Sequence, residues 1–585
     1  MAIIWQVERW LIHDKPSNTL HVLSNERDEW GAKVKKFLES WKYEPREVLP
    51  AILNGSETSS HTDLQHADIV RVVKKAITAG QLYQLNFGRR WMGELHENPW
   101  ETMLRLAHDS PAPYSSWLYC PDQKIALCSS SPELLLASDG GIISTRPIKG
   151  TRPRGRDPQE EFSLRSELLK CKKENAEHRM LVDLERNELG VVCRPASIEH
   201  TLFQVESYPQ VQHLVSEVKG ELKSECDLWD ALQATFPGGS ITGCPKTVTC
   251  SAIDLLEKHP RSFWTGSIGY IDPRTSKSAW NILIRTLEAH QDNGDNGVGS
   301  GEKWQAIIQA GGGLVIGSNP EAEVDEAKWK AEALRKAAGW IERSENEGSF
   351  CAEIAIHPQP IKKQINRGFT ETGDIFEGKN IDSTILKKTG SKKVRIIFID
   401  NLDSFSYNIM HSCCGMGADV IRLCGITTPV DSFNELLSTL KPSHIILGPG
   451  PGRPNSSILT QYISKQSLLG SITNLEGDVI PILGICLGHQ ALGEADGMEL
   501  IESPLGAVHG QPSQILHNGE GIFSQIQQPA IMARYNSLIL KEKGGNNGGG
   551  YIPNQLIVNA WDETKTLPMA FYHPTLPIFG IQFHP

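Results

Sequence analysis

The segment that most restricts the possible fold reads Pro-Ile-Leu-Gly-Ile-Cys-Leu-Gly-His-Gln over residues 481–490. A short apolar strand runs into Cys486, which lies between Gly484 and Gly488 and precedes a helical pattern. Glycines at these positions permit the sharp strand-to-helix turn that lifts a nucleophile above a sheet. The N-terminus of the following helix is expected to lower the pKa of the thiol, and the backbone N–H of Leu487 is placed to hold an oxyanion. The segment predicts an α/β domain with a parallel sheet and a cysteine nucleophile.

A histidine near the end of the sequence could supply the base that such a cysteine needs. Residues 579–585 read Phe-Gly-Ile-Gln-Phe-His-Pro, so His584 comes just after a predicted strand. An imidazole in that position can face the thiol and take its proton. A cysteine in an apolar segment is more often a simple core residue, but the flanking glycines and His584 together favour a catalytic thiol.

Four further motifs accompany this turn, at residues 400–405 (DNLDSF), 448–452 (GPGPG), 508–510 (VHG) and 534–538 (RYNSL). With them, the stretch from about Val394 to Pro585 resembles the class I glutamine amidotransferase family, whose fold is flavodoxin-like α/β. The resemblance implies that Cys486 attacks the carboxamide of L-glutamine, that His584 shuttles the proton, and that ammonia is released. It also implies an oxyanion hole formed by the Gly450 loop and Leu487, with Gln490 binding the substrate.

The catalytic triad of that family ends in a glutamate that follows the proline of the final His-Pro pair. The sequence ends at Pro585, so the resemblance implies that His584 lacks this orienting carboxylate. Loss of such a group can cost orders of magnitude in rate. We therefore expect an impaired glutaminase, and a truncated, non-catalytic remnant that binds its ligands without turnover stays open as an alternative.

The sequence before this domain predicts a second, larger one. Residues 66–340 alternate helical and strand periodicities, including a predicted helix at His66–Ala79 and a longer charged helix at Glu160–Glu185. This alternation predicts one α+β domain of layered sheets and helices. Residues 1–65 open on strand patterns at Ile3–Val7 and Leu20–Leu23, which indicate the remnant of an N-terminal subdomain rather than a signal peptide. Residues 341–393 follow no period and predict a linker. Gly-rich and Asn-rich runs predict a hairpin tip at 290–302 and a flexible loop at 544–550.

Two acidic segments of the larger domain could hold a divalent cation. In one predicted helix, Glu177 lies about one turn from Glu174, and in another Glu323, Glu326 and Lys330 recur at helical spacing. Carboxylates from two segments, completed by waters, suit Mg²⁺ bridged to an anionic substrate. Each acidic helix taken singly is more often a solvated face.

Further motifs connect these acids to a family. They are residues 131–133 (SPE), 146–155 (RPIKGTRPRG), 236–243 (FPGGSITG), 269–270 (GY), 284–286 (IRT) and 310–313 (AGGG). With them, residues 66–340 resemble the chorismate-utilising enzymes, a family that includes anthranilate, aminodeoxychorismate and isochorismate synthases. The resemblance implies that Glu177 and Glu326 bind Mg²⁺ and that Glu133 is the general acid for the C4 hydroxyl of chorismate. The residues it places around the substrate are Gln84, Thr151, His213, Tyr270, Arg285, Gly311, Gly312, Gly313 and Lys330.

Two positions discriminate between members of this family. Gln84 stands where water-using members have a lysine base, so ammonia is the expected nucleophile. Lys149 stands where anthranilate synthases typically have alanine and aminodeoxychorismate synthases have lysine. A lysine amine whose pKa is lowered by burial can attack ring C2 while the C4 hydroxyl leaves, and ammonia can then add at C4 and expel the lysine. The interpretation of Lys149 as a surface lysine in a basic turn is the alternative outside this motif.

We therefore expect amination of chorismate at C4 to 4-amino-4-deoxychorismate for 4-aminobenzoate and folate synthesis, with ammonia transferred internally between the two domains. Release of 4-aminobenzoate would need a separate aminodeoxychorismate lyase. An anthranilate synthase on the same scaffold stays open as an alternative.

Composition sets the limits of this interpretation. The 585 residues carry 58 Lys and Arg against 69 Asp and Glu, a formal charge of −11, which disfavours a nucleic-acid partner. The 12 cysteines are scattered without metal or disulfide spacing, as expected in a reducing cytoplasm. No apolar run reaches the ~18 residues of a membrane span, so we expect no membrane partner.

Overall fold

The computed structural model describes residues 3–342 (except 16, 26–27, 43–46, 56, 209–210 and 292–302), 372–378, 394–541 and 555–584. The chain divides into two compact units, Met1–Pro50 and Ala51–Pro585. The predicted loop at 544–550 and most of the predicted hairpin tip and linker lie outside the described residues.

The first unit contains an antiparallel hairpin of Trp10–Asp14 with Thr19–Leu23, followed by the helix Trp30–Ser40. The strand predicted at Leu20–Leu23 is confirmed. The strand predicted at Ile3–Val7 is wrong, because these residues join no sheet in the described part of the chain and Ile4 is 75% exposed. An apolar run forms a stable strand only where a partner strand and a core receive it.

The upstream region of the second unit (residues 51–342) contains two mostly antiparallel sheets, each of seven strands among the described residues. The strands of one sheet, in chain order, are Leu134–Asp139, Ile142–Arg146, Ile148–Pro153, Glu199–Ser207, Val211–Glu221, Gly269–Asp272 and Lys277–Asn281. Those of the other are Thr58–Ser59, Gln84–Leu95, Ser116–Cys120, Ile125–Ser129, Gly243–Cys244, Thr286–Gln291 and Trp304–Leu314.

The helices of this region cover the sheets. Their bounds are Asp63–Thr78, Pro99–Asp109, Pro158–Lys170, Lys172–Val192, Leu228–Thr235, Gly239–Thr242, Lys246–Leu256 and Pro320–Ala337. The helix predicted near residues 66–79 begins earlier because Thr62 and Gln65 form a capping box.

One long acidic helix predicted over residues 160–185 is instead two helices, which meet at Cys171 in an extended conformation. Arg152 forms ion pairs with Glu167 at 3.0 Å and Glu174 at 2.9 Å, one on each helix. Arg152, on the preceding strand Ile148–Pro153, therefore bridges the two helices across the break, and the helical periodicity of the sequence does not reveal it.

The downstream region (residues 372–584) is built on a ten-stranded mixed sheet. Its parallel strands are Ile375–Glu377, Arg395–Asp400, Asp419–Cys424, His444–Leu447, Ile482–Ile485 and Ile578–Ile581. Its antiparallel extension comprises Val508–His517, Ala530–Asn536, Ile557–Asp562 and Pro568–Tyr572. Residues 375–377, inside the segment predicted as a linker, thus form an edge strand.

Helices cover both faces of this sheet, and their bounds are Ser406–Gly415, Val430–Leu440, Ile458–Leu468 and Leu487–Ala495. Along the strand Arg395–Asp400, Ile397 and Ile399 belong to one apolar core, and Ile396 and Phe398 belong to another. Both faces are buried, as is typical of a parallel sheet between helix layers. A separate two-stranded antiparallel sheet pairs Glu499–Glu502 with Leu538–Lys541.

The helix Lys172–Val192, which we term the shared helix, joins the two regions. It packs against the helix Ser406–Gly415 and the strand Val508–His517. Along it, the carbonyl of Asp183 accepts from the amide of Asn408 at 2.8 Å, and the side chain of Asn187 accepts from the backbone N–H of Tyr407 at 2.9 Å. Helix-to-helix hydrogen bonds thus dock the downstream region onto the upstream one. Among the described residues, no helix has the length and apolar character needed to span a membrane.

Candidate active sites

The downstream site is organised by the turn at Cys486. This residue has φ +52° and ψ −103°, between the strand Ile482–Ile485 and the helix Leu487–Ala495. A Cβ on Gly484 would lie 2.6 Å from the carbonyl oxygen of Gly488, and one on Gly488 would lie 2.1 Å from that of Leu447. Both glycines are therefore needed for the close approach of strand and helix. The structure thus contains the turn that the sequence predicts.

The thiol of Cys486 is buried between two polar groups. Its Sγ lies 3.9 Å from the carbonyl oxygen of Tyr535 and 3.6 Å from Nε2 of Gln582, which donates to it. Burial and the neighbouring Asp403 carboxylate raise the pKa of the thiol, while the backbone N–H of Leu487 acts in the opposite direction. The contribution of the helix N-terminus has the predicted sign, but desolvation of the thiolate outweighs it, so the predicted net lowering of this pKa is wrong.

His584 lies beside the same tyrosine. Its ring meets the rings of Tyr535 and Phe405 edge-on, with centroids 5.2 Å and 5.7 Å apart. Burial lowers the pKa of His584 to about 4, and its Nε2 has no hydrogen-bond partner among the described residues. The imidazole is therefore neutral near pH 7, the form in which a histidine can accept a proton.

A cleft of about 250 Å³ opens at Cys486. Gly450 and Gln490 line it with Cys486. A Cβ on Gly450 would lie 3.1 Å from Cδ1 of Leu487, so the glycine loop packs directly on the residue after the cysteine. The amide of Gln490 donates to the carbonyl of Leu538 and to the side chain of Gln582, each at 3.1 Å. The five residues predicted for this site, including His584, thus lie in one neighbourhood.

The upstream region forms part of the same cleft. Gly80 and Tyr83 line it, and the backbone N–H of Gly452 donates to the carbonyl of Gly80 at 2.9 Å. The hydroxyl of Ser537 donates to the carbonyl of Ile77 at 2.6 Å. Sequence reasoning missed this contribution, because an aromatic residue at the start of a strand looks like an ordinary core residue.

Tyr83 makes the most specific contact between the regions. Its hydroxyl donates to Oδ1 of Asp403 at 3.0 Å, and its ring stacks on that of Phe405 at a centroid distance of 6.0 Å. Burial raises the pKa of Asp403 to about 7, although the hydrogen bond from Tyr83 lowers it. A second hydrogen bond between the regions has its donor in the downstream region. The hydroxyl of Tyr535 donates to Oδ2 of Asp183 on the shared helix at 2.6 Å.

The upstream site is organised by the glycines 311–313. In the antiparallel pair of Gln84–Leu95 with Trp304–Leu314, Gly313 lies opposite Asn86 and Gly311 opposite Gly88. A Cβ on Gly313 would lie 2.8 Å from Nε2 of Gln84 and 3.4 Å from Nζ of Lys149. The fold therefore brings Gln84 and Lys149 together at Gly313, on the strand Trp304–Leu314, which we term the glycine strand.

Lys149 is held by a carboxylate. Its Nζ lies 2.8 Å from Oε2 of Glu177 on the shared helix. Burial alone would lower the pKa of Lys149, but Glu177, Glu326 and Glu323 outweigh it and raise the pKa. The expectation of a lowered pKa is wrong, because it considered burial without the three glutamates.

The acidic residues converge from two helices. Glu326 pairs with Lys330 at 2.7 Å, and Lys330 donates to the carbonyl of Gly311 at 2.9 Å. A Cβ on Gly312 would lie 3.1 Å from Oε2 of Glu323 and 3.4 Å from Oε1 of Glu326. Oε1 of Glu177 is buried and accepts no hydrogen bond from the described residues.

These oxygens suit Mg²⁺ in chemical type. In the described part of the chain, no group of three or more His, Cys, Asp or Glu side chains is arranged to hold a metal. Mg²⁺ usually keeps several waters and needs only one or two protein carboxylates beside an anionic substrate. The unsatisfied oxygen of Glu177 and the carboxylate of Glu326 are donors of that type.

Glu133 is the buried acid of this site. Burial raises its pKa to about 7, against the influence of Ser240, Lys330, Lys149 and Arg285. Its Oε1 has no hydrogen-bond partner among the described residues. Glu133 therefore shares its surroundings with three of the predicted cationic residues.

The remaining predicted residues lie on the neighbouring sheet and loop. The hydroxyl of Thr151 is 3.0 Å from Nδ1 of His213, and burial lowers the pKa of His213 to about 3. Arg285 is half-buried with φ +48°, and burial lowers the pKa of its guanidinium. Tyr270 lies on the edge strand Gly269–Asp272 and is 45% exposed.

Comparison with known proteins identifies both regions. Residues 6–336 match the chorismate binding enzyme family, and residues 397–585 match the class-I glutamine amidotransferases. The chain therefore belongs to the chorismate binding enzymes and carries a class-I glutamine amidotransferase domain. Both predicted families and both fold classes are confirmed.

Individual relatives differ in the activity that their names state. Aminodeoxychorismate synthase component 1 of Bacillus subtilis (strain 168) is 38% identical over 333 residues, which cover 56% of this chain and 67% of the relative. Anthranilate synthase component 1 3 of Haloarcula marismortui is 40% identical over 293 residues, or 50% of this chain and 55% of the relative. The crystal structure of anthranilate synthase component I from Streptococcus pneumoniae TIGR4 aligns at 28% identity with a TM-score of 0.48, covering 56% of this chain and 72% of that one.

Proposed function

We propose that the chain aminates chorismate at C4 with ammonia released from L-glutamine, which is the activity of an aminodeoxychorismate synthase. The observation that carries the proposal is the meeting of Lys149 and Gln84 at Gly313. A lysine at this point provides an amine that can bond covalently to the ring, and a glutamine in place of a lysine base disfavours activation of water. The similarity to the Bacillus subtilis relative supports the same activity.

Chorismate is a dicarboxylate, and the upstream site offers matching donors. In this proposal Lys330 and Arg285 supply positive charge, the glycines 311–313 allow the substrate to approach the backbone closely, and Tyr270 is a further substrate contact. Thr151 and His213 add polar side chains to the site. In this proposal these groups orient the ring so that C2 faces Lys149 and the C4 hydroxyl faces Glu133.

The chemistry then proceeds in two substitutions. The Lys149 ammonium first passes a proton to the adjoining carboxylate of Glu177. The resulting neutral amine forms a bond to C2 while the bond from C4 to its hydroxyl breaks, and Glu133 donates the proton with which the hydroxyl leaves as water. Ammonia next forms a bond to C4, the bond between C2 and Lys149 breaks, and the product is 4-amino-4-deoxychorismate. Because Glu133 has a pKa of about 7, it can hold this proton at neutral pH.

Glu177 and Glu326 would hold Mg²⁺, which would supply positive charge to the ring carboxylate of chorismate. The protein's own contribution is to bring the two carboxylates together from separate helices beside the glycine strand. Glu177 also contacts Lys149, so one carboxylate adjoins both the proposed metal position and the proposed nucleophile.

The ammonia would come from the downstream cleft. Cys486 forms a thioester with the glutamine carbonyl carbon, His584 moves the thiol proton to the leaving ammonia, and water then releases glutamate. A buried cluster adjoins this cleft, because two of its members, Tyr83 and Tyr535, line the cleft. Its other members are Met180, Leu184, Cys244, Val315 and Phe405. Such surroundings keep ammonia neutral and exclude water, which supports internal transfer. Conversion to 4-aminobenzoate would then need a separate lyase.

Product analysis tests the proposal. The full chain is incubated with chorismate, an ammonium salt and Mg²⁺, and the products are separated by liquid chromatography with mass detection. We expect 4-amino-4-deoxychorismate, and no product from Lys149→Ala. The second candidate is anthranilate formation, which the name of the Haloarcula marismortui relative favours. Anthranilate formed without an added lyase, or full amination by Lys149→Ala, would refute the first candidate.

A further inference from the structure

A second cleft, of about 180 Å³, lies in the upstream region at the strands Gln84–Leu95 and Trp304–Leu314. Among the residues that line it are Ser60, His61, Arg90, Lys258, His259 and Gln309. Gln309 lies opposite Arg90 in the strand pair, two residues before Gly311. None of these side chains takes part in the proposed amination.

His61 presents an unused hydrogen-bond donor in this cleft. It is 3% exposed, its Nδ1 lies 2.8 Å from the hydroxyl oxygen of Ser60, and its Nε2 has no partner among the described residues. The Ser60 hydroxyl already accepts from the backbone N–H of Arg90 at 3.0 Å, so its own hydrogen is available to Nδ1. A neutral imidazole that accepts at Nδ1 carries its proton on Nε2.

Arg90 presents a second unused donor. Its Nε is buried without a hydrogen-bond partner, and its guanidinium forms no ion pair within the described part of the chain. A buried donor without an acceptor costs about 1–3 kcal/mol. Two such donors in one cleft indicate that an acceptor belongs between them.

The charge of the cleft identifies the acceptor's type. Lys258 and His259 lie at its exposed side, and the Lys258 ammonium donates to the carbonyl of Ser60 at 3.2 Å. Burial, followed by the charges of Lys258, Arg89 and His259, lowers the pKa of His61 to about 4. This local positive potential contrasts with the formal charge of −11 on the whole chain.

The one carboxylate that lines the cleft is already neutralised. Glu257 accepts from the Arg261 guanidinium through both oxygens, at 2.7 Å and 2.9 Å, and from the backbone N–H of Gly88 at 2.8 Å. Its oxygens are therefore committed to three donors, and its charge is balanced by Arg261. Lys258 and His259 form no ion pair in the described part of the chain, and the carboxylate whose charge acts on Arg90 is Glu288, which does not line the cleft.

We propose that this cleft binds a small oxyanion, either a phosphate group or a carboxylate, between the N–H groups of His61 and Arg90. Lys258 and His259 supply the attraction from the solvent side. The site is separate from the proposed chorismate site, although both lie along the same strand pair.

Titration calorimetry of the full chain with inorganic phosphate, and separately with acetate, tests the proposal. We expect saturable binding of one anion per chain by at least one of the two probes, in the presence of saturating chorismate as well as without it. The probe that binds identifies the preferred oxyanion. Loss of a charged donor should weaken binding about tenfold in Arg90→Gln and in Lys258→Gln.

Arg71→Gln is the matched control, because Arg71 is an exposed arginine that pairs with Asp68 and Glu321 outside the cleft. It should bind as the unsubstituted chain does. If Arg90→Gln does not fold, as judged by circular dichroism, the test rests on the affinity of Lys258→Gln, at the exposed rim, compared with that of the unsubstituted chain. Absence of saturable binding by either probe would mean that water alone occupies the cleft and would overturn the proposal, as would equal binding by all variants.

Discussion

The phenol of Tyr83 in the upstream region donates a 3.0 Å hydrogen bond to Oδ1 of Asp403 in the downstream region. Tyr83 lines the cleft of Cys486, and the next residue, Gln84, lies beside Lys149 at the glycine strand. One dipeptide therefore contacts both candidate active sites. Its hydrogen bond therefore joins the two regions at a residue that adjoins both sites.

Tyr83→Phe should weaken the association of the two regions. The substitution keeps the ring and removes the donor, which leaves a buried carboxylate oxygen without its partner at a cost of about 1–3 kcal/mol. We expect a lower urea midpoint for the unfolding of the downstream region. The control is Tyr119→Phe, which removes an exposed phenol and should leave the midpoint unchanged; equal midpoints for both variants would contradict the prediction.

Asp403→Asn should change how stability depends on pH. The pKa of Asp403 is about 7 in the folded chain and about 4 in the unfolded one. The folded state therefore keeps a proton that the unfolded state loses, and stability falls as the pH rises from about 4 to about 7. Asparagine cannot lose this proton, so the variant should gain stability relative to the parent over that range, by up to about 4 kcal/mol.

Urea unfolding of both proteins at pH 5 and pH 8 measures this difference. The titrations of all other groups occur in both proteins and cancel when one is subtracted from the other. A difference that is the same at both pH values would show that Asp403 is ionised in the folded chain throughout.

Cys486→Ala should separate the two sources of ammonia. Without the thiol no thioester can form, so amination that depends on glutamine should fall to background. Amination with an ammonium salt should stay within about twofold of the parent, since the upstream site is untouched. Cys424→Ala, which removes a half-buried thiol that does not line the cleft, should retain the parent activity with both sources.

Gly488→Ala should disrupt the turn at Cys486. The added Cβ would meet the backbone oxygen of Leu447 at 2.1 Å, and overpacking against backbone costs about 3 kcal/mol or more. We expect loss of glutaminase activity and a clearly lower melting temperature. Gly317→Ala is the control, because its Cβ would meet only the flexible Lys173 side chain, at 3.8 Å. An unchanged melting temperature in Gly488→Ala would exclude the close approach described here.

The turn at Cys486 could be predicted from sequence because its requirement is local: two glycines within five residues define it. The directions of the pKa shifts of Cys486 and Lys149 could not be predicted, since they depend on burial and on carboxylates brought from distant helices. The break at Cys171 has the same origin, because Arg152 holds it from a neighbouring strand. The role of Tyr83 between the regions depends on docking, and no feature of residues 80–86 reveals it.

The shared helix links the chemistry of the two sites mechanically. Glu177 lies in its first half, and its contacts to Asn408 and Tyr407 lie in its second half, at Asp183 and Asn187. At 1.5 Å per residue, the ten residues from Glu177 to Asn187 span about 15 Å of continuous α-helix. The downstream region also touches this helix beside Glu177, since a Cβ on Gly510 would lie 2.3 Å from the carbonyl oxygen of Ala176. A ligand that displaces Glu177 would therefore act on a helix that also holds the amidotransferase domain, with no flexible segment between the two.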